Sequence, residues 1–223
     1  MKLAIFDFDG TLFRKDTLPF LLFQWRKLKY SRAKYFKTYF SLIFLYIMYK
    51  SGMKSKYSRE QMKLIAVEKF NDIFAGMTQQ EVTDYFLNCS KEIAGLLNES
   101  VVSEVKKVRS DGYHTILLSG SYFNLLNNIG QYLEFDTVIG TKMHFSNGLF
   151  DSNKPFEIIS GALKLEKVRE CFKDQSVDWE ASMAYADSYS DIHILESVGQ
   201  PIAVNPDAKL KSIAEQMNWR IIP

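Results

Sequence analysis

Six short apolar runs, near residues 2–6, 114–118, 136–139, 182–186, 202–204 and 219–222, each stop abruptly at polar or turn-forming residues, and helix-like stretches fill the gaps after Ser119. Strands that alternate with helices close into a parallel sheet covered on both faces. The spacing therefore predicts an α/β fold with a doubly wound parallel sheet, Rossmann-like in layout. The first gap breaks the rhythm. Between roughly residues 14 and 98 no strand signal appears, while Ser58-x-x-Gln61 and Thr78-x-x-Glu81 carry the capping-box spacing that opens helices. We expect an inserted helical cap over 14–98 and a core built from 1–13 and 99–223. Its position directly after the first strand would let it close over groups at the strand tips. Asn147-Gly148 predicts a hairpin turn.

Open parallel sheets keep their chemistry at the C-terminal ends of the strands. The first apolar run ends in Asp7-Phe8-Asp9-Gly10-Thr11, two carboxylates one residue apart. Such a pair is costly unless a cation lies between them or one holds a proton, and a divalent metal is the simplest remedy. Gly10 permits a tight turn, and Thr11 offers a hydroxyl and a backbone N–H that could face an anion. A second run, Thr115–Leu118, ends in Ser119-Gly120-Ser121; a later one, Met183–Ala186, ends in Asp187-Ser188-Tyr189-Ser190-Asp191. Between them Gly161–Arg169 reads as a helix start carrying Lys164 and Lys167. Singly these are turns, solvated charges or helix caps. In order, and at one sheet edge, they make a candidate site.

This order of Asp-x-Asp-Gly-Thr, apolar-Ser-Gly, Lys at a helix start and Asp-x-x-x-Asp resembles the haloacid dehalogenase-like hydrolases over nearly the whole chain. The long first insertion, the Gly161-x-x-x-x-x-Lys167-Val168 pattern and the ending Pro201–Asp207 are similar to the subgroup that contains phosphoserine phosphatase. The resemblance implies that Asp7 is a nucleophile forming an aspartyl-phosphate, and that Asp9 protonates the leaving group and then activates water. It implies a Mg²⁺ site made by Asp7, the backbone carbonyl of Asp9 and Asp187, with Asp191 bound directly or through water or lysine. Ser119, Gly120 and Thr11 would bind the phosphoryl oxygens, with a lysine neutralising their charge. Lys167 fits the family pattern and is the expected lysine; Lys164 lies one turn earlier on nearly the same helix face. Family ATPases carry Thr where Asp9 stands, so Asp9 favours hydrolysis of a phosphate monoester. A binding protein without turnover is disfavoured by the presence of both Asp7 and Asp9. Asp16 matches, nine positions after Asp7, the acid with which phosphoserine phosphatases hold the substrate amine; their cap segment Arg-Val-x-Leu-Leu-x-Gly has no counterpart here. The substrate implied is a small phosphorylated metabolite. The alternative is a phospholipid head group, because the related phosphatidylglycerophosphate phosphatases share the Lys-Val pattern and a basic, apolar cap. His144 and His193 are expected to be structural or surface residues, since this chemistry needs no imidazole.

Charge singles out the insertion. Phe13–Lys63 holds thirteen Lys or Arg against Asp16 and Glu60, a net +11 within a chain of net +2. It also gathers aromatics, so an anionic membrane surface or an anionic partner is a natural ligand. No nucleic-acid motif accompanies the basic residues. The most apolar piece, Tyr39–Tyr49, is shorter than the ~20 residues of a spanning helix, and reads first as a buried cap helix and otherwise as an interfacial one. Cys89 and Cys171 are too few for a disulfide framework, and Met1-Lys2 leads straight into the first strand, so the expected location is the cytoplasm, peripheral to the membrane if the cap binds lipid.

Overall fold

A computed structural model of the chain describes residues 1–51 and 59–223; Ser58, and with it the first capping box, lies outside the described residues. In chain order, β1 (Leu3–Phe6) precedes the helices α1 (Thr17–Lys27), α2 (Arg32–Lys50), α3 (Arg59–Asn71), α4 (Gln79–Ala94) and α5 (Glu99–Ser110). Then come β2 (His114–Tyr122), α6 (Phe123–Leu133), β3 (Thr137–Thr141), β4 (Phe145–Ser146), β5 (Leu149–Phe150) and α7 (Ala162–Cys171). The chain closes with β6 (Met183–Ala186), α8 (Ile192–Leu195), β7 (Gln200–Val204), α9 (Ala208–Gln216) and β8 (Arg220–Ile222).

One compact unit comprises Met1–Asp16, Ser90–Lys142 and Ile158–Pro223. Its six-stranded sheet has the order β3-β2-β1-β6-β7-β8, and all neighbours are parallel. Strand β1 is central: the chain builds outward through β2 and β3, then returns to the other side of β1 for β6. Its C-terminal tip is therefore the switch point of the winding, where crevices open in such sheets. The strands read as near-continuous apolar runs because helices cover both faces; Leu3, Ile5, Ile116, Leu118, Ala184 and Ala203 are buried in one cluster with Val168, Leu195 and Leu210 from the helices. Strand β2 runs to Tyr122 rather than ending at Leu118. Pairing with β3 shifts register after Leu118 and resumes at Tyr122 opposite Thr141, so Ser119-Gly120-Ser121 is an irregular strand end, a frequent device for re-aiming side chains beside a site.

The second unit, Thr17–Cys89 with Met143–Glu157, is helical apart from the β4/β5 hairpin, and its boundary with the first falls inside α4. Trp25, Phe74, Tyr85, Phe86 and Phe150 form its aromatic core, mostly in edge-to-face pairs 5.4–6.0 Å apart. The buried polar ends are satisfied by backbone: Trp25 Nε1 donates to Ser31 O at 3.0 Å and Tyr85 OH to Leu21 O at 2.6 Å. Asn147 and Gly148 both take positive φ, as a two-residue hairpin turn requires, and Gln79 N donates to Gly148 O, which fastens the hairpin to the start of α4. The Thr78/Glu81 capping box forms reciprocally, Thr78 N donating to Glu81 Oε2 at 2.7 Å and Glu81 N to Thr78 Oγ1 at 3.2 Å. The Tyr39–Tyr49 stretch lies within α2 but is not a buried helix: only Thr38 and Leu45 of α2 are buried. None of the described helices is long and apolar enough to cross a membrane.

Candidate active site

Strand β1 delivers Asp7 to the centre of the sheet edge, where its N–H donates to Tyr185 O at 2.9 Å. The chain then turns back on itself. Gly10 N donates to Phe13 O at 2.7 Å, while Thr11 N and Phe13 N both donate to Phe8 O, at 3.2 and 2.8 Å. Gly10 has φ +79°, and a Cβ there would lie 2.2 Å from Asp187 Oδ2. Glycine is needed at that position because the Asp187 carboxylate occupies the space, so the loops after β1 and β6 interlock. Asp9 is half-buried in this turn. Thr11 departs from the expected phosphate ligand: its N–H is taken by Phe8 O, and its hydroxyl is fully buried with no hydrogen-bond partner among the described residues. The turn that presents the aspartates points Thr11 inward, where Asn98 Nδ2 donates to its carbonyl at 3.2 Å.

Asp7, Asp187 and Asp191 converge, their nearest carboxylate oxygens within 4.8 Å of one another. Lys164, the third residue of α7, reaches into the group: its Nζ donates to Asp7 Oδ1 at 2.7 Å and pairs with Asp191 Oδ1 at 2.7 Å. Lys167, expected there from the family pattern, sits instead beside Glu170, 3.4 Å from its Oε2. Three residues turn a helix by 300°, so the two lysines point about 60° apart and lie ~4.5 Å apart along the axis, and only Lys164 faces the sheet edge. Burial pushes the Asp7 carboxyl up to about 6, with Asp191 adding to the effect and Lys164 opposing it. Asp187 is pushed up to about 7, by burial first and then by the charges of Asp7 and Asp191. Burial would lower the Lys164 ammonium, but the flanking carboxylates outweigh it and raise its pKa. Two buried carboxylates and the half-buried one of Asp187, with a single ammonium among them, leave negative charge uncompensated.

The surroundings fix this cluster from two sides. Ser119 is buried, its Oγ accepting from Ser121 N at 3.1 Å. Gly120 O accepts from Thr141 Oγ1 at 2.8 Å, Thr141 Oγ1 accepts from Ile159 N at 3.4 Å, and a Cβ on Gly120 would meet Ile159 O at 2.8 Å. The Ser-Gly tip is thus clamped between β3 and the segment entering α7. On the other side, Asp207 caps α9 through Lys209 N and Leu210 N, and the same carboxylate accepts from Tyr189 N at 3.0 Å and Ser188 Oγ at 3.3 Å. Its own N–H donates to Asp187 O at 2.8 Å, so one residue anchors Asp187, Ser188 and Tyr189 at the start of the loop that leads to Asp191. The helix-cap role of Asp207 is legible in the sequence; its reach to the neighbouring loop is not, and neither is the part played by Thr141.

The sequence profile of the haloacid dehalogenase-like hydrolases matches residues 4–196. The chain belongs to this family. Among curated relatives, phosphoserine phosphatase SerB1 of Mycobacterium tuberculosis is 25% identical over 189 residues, covering 79% of this chain and 61% of its own length. The chain spans 61–62% of the length of SerB1 and of the two mycobacterial putative hydrolases it matches at the same 25% identity. Two solved structures share the fold: a Bordetella pertussis Tohama I protein of unknown function, with TM-score 0.80 at 21% identity over 100% of this chain and 98% of that one, and a phospho-aspartyl intermediate analogue of phosphoserine phosphatase, with TM-score 0.63 at 20% identity over 99% and 92%. Asp7, Asp187 and Asp191 suit the hard divalent cation typical of haloacid dehalogenase-like enzymes. All three offer oxygen ligands, the cluster carries unbalanced negative charge, and Gly10 leaves the space in which Asp187 sits.

Proposed function

We propose that this haloacid dehalogenase-like hydrolase is a Mg²⁺-dependent phosphomonoesterase acting through an aspartyl-phosphate. The observation that supports it most is the position of Asp7, at the switch point of the sheet, ion-paired to Lys164 and grouped with Asp187 and Asp191. An Asp7 oxygen attacks phosphorus, the P–O bond to the leaving group breaks, and Asp9 gives its proton to the departing alkoxide. Asp9 then takes a proton from water as that water attacks the acyl phosphate, releasing inorganic phosphate and restoring the Asp7 carboxylate. Lys164 would hold Asp7 in place and offset charge on the transferring group, while Ser119 and Gly120, at the tip of the neighbouring strand, would bind its oxygens. Asp7, Asp187 and Asp191 would hold the cation, which supplies charge neutralisation at the phosphoryl oxygens.

A small phosphorylated metabolite is the substrate class this reading favours, in keeping with the phosphoserine phosphatases among the relatives. Phosphate release from an aryl phosphate with Mg²⁺, followed by a panel of phosphorylated metabolites that includes phosphoserine and lysophospholipids, tests it. Turnover undiminished in Asp7→Asn would remove the covalent mechanism. Turnover confined to lysophospholipids would move the substrate to the lipid class.

A further inference from the structure

Helix α2 presents a face that the described residues leave uncovered. One side carries the buried Thr38 and Leu45, where α2 packs on α1 and α3. The opposite side carries Phe36, Phe40, Ile43 and Ile47 at successive spacings of four, three and four residues, which places them in a single stripe. They are 52%, 62%, 36% and 54% exposed, and Phe44 beside them is 63% exposed. Phe36 and Phe40 stack on each other with ring centroids 6.2 Å apart, extending the ridge along the helix. Packing accounts for one apolar side of a surface helix; the second needs an occupant.

Charge identifies it. From Thr17 to Ser51 the chain holds seven Lys or Arg and no Asp or Glu. Arg26, Lys27, Lys29, Arg32, Lys37 and Lys50 are all exposed. Arg32 and Lys50 lie about 40° to one side of the stripe and Lys37 about 100° to the other, close enough for long side chains to reach past the ridge. An apolar aromatic ridge bordered by cations and free of acids is complementary to a bilayer with anionic head groups, because the ridge enters the acyl boundary while the cations remain at the phosphates. A second copy of this face would oppose cation to cation. The aliphatic Ile43 and Ile47 suit acyl chains better than nucleobases, which stack on rings. We infer that the outward face of α2 docks on an anionic lipid surface with the helix axis in the membrane plane. This inference does not depend on the chemistry proposed for Asp7.

Co-sedimentation of the full chain with vesicles of equal parts phosphatidylglycerol and phosphatidylcholine, against vesicles of phosphatidylcholine alone, tests it. The chain should bind the anionic vesicles at low salt and leave them as salt is added. Phe40→Ser with Phe44→Ser should lower the partition coefficient by about tenfold. Arg32→Glu with Lys37→Glu should lower it by a similar factor and flatten the salt dependence. All four residues are exposed or bordering solvent, so circular dichroism and aryl-phosphate turnover should be unchanged in both variants. Failure to bind at low salt, equal binding to neutral vesicles, or binding indifferent to the Phe substitutions would overturn the inference. So would a dimer in sedimentation velocity that Phe40→Ser with Phe44→Ser dissolves, which would assign the face to a second copy.

Discussion

At the scale of single residues, the proposed mechanism gives Asp7 the chemical role, as nucleophile, and Lys164 the electrostatic one. Asp7→Asn replaces a nucleophilic oxygen with an amide, and should lower aryl-phosphate turnover by at least about a thousandfold. Asp9→Asn should still accept the phosphoryl group from a good leaving group but release it slowly, which a burst of product followed by a slow phase would report. Lys164→Ala removes the ammonium 2.7 Å from both Asp7 and Asp191, and should cost about 10²-fold to 10³-fold in kcat. Lys167→Ala, beside Glu170, should stay within about twofold of the parent, since an exposed ion pair contributes little. Parity between the two lysine variants would contradict this assignment. The sequence offered both lysines on neighbouring faces of one turn; the family pattern pointed to Lys167, whereas the lysine that meets Asp7 is Lys164. Rotation of α7 about its axis decides which faces the strand tips, and that rotation is set by packing of Val168 into the core.

At the scale of elements, the strands were legible because each is a short apolar run ended by polar residues. The hairpin was legible because Asn147-Gly148 suits positive φ. What the sequence hid was an irregularity and a link. The register shift in β2 depends on its pairing with β3, and the anchoring of the Asp187–Asp191 loop depends on Asp207, sixteen residues beyond Asp191. Asp207→Ala should therefore act twice. Loss of the α9 cap should cost about 1 kcal/mol of stability, seen as a lower thermal midpoint. Loss of the loop anchor should weaken Mg²⁺ binding by about tenfold to a hundredfold, measured by calorimetric titration. Asp207→Asn keeps an oxygen for the cap and should recover most of the stability; equal Mg²⁺ affinity in the alanine variant and the parent would leave Asp207 a cap only.

At the scale of the whole molecule, the carboxylate cluster couples stability to pH. Asp7 at about 6 and Asp187 at about 7 lie above the ordinary aspartate value near 3.9 that the unfolded chain would have. Folding thus takes up protons between about pH 4 and pH 7, and the stability of the metal-free protein falls as pH rises through that window. Glu104, Asp136 and Asp207 are held below their ordinary values and act in the opposite sense, at more acid pH. With EDTA present, the thermal midpoint should be lower at about pH 8 than at about pH 5.5; added Mg²⁺ should raise it more at the higher pH, where protons no longer compete for the oxygens. A midpoint in EDTA that rises across this range would contradict the crowding of these carboxylates. By itself the sequence determined the α/β alternation, the helical insertion and the residue types at the strand tips, because apolar period, turn chemistry and capping are local properties of the chain. Only the tertiary structure decided that Lys164 rather than Lys167 meets Asp7, that Thr11 turns inward, and that α2 keeps an apolar face outside. Each depends on how an element is rotated or paired against partners far away in the chain, and side-chain direction follows that rotation rather than sequence spacing.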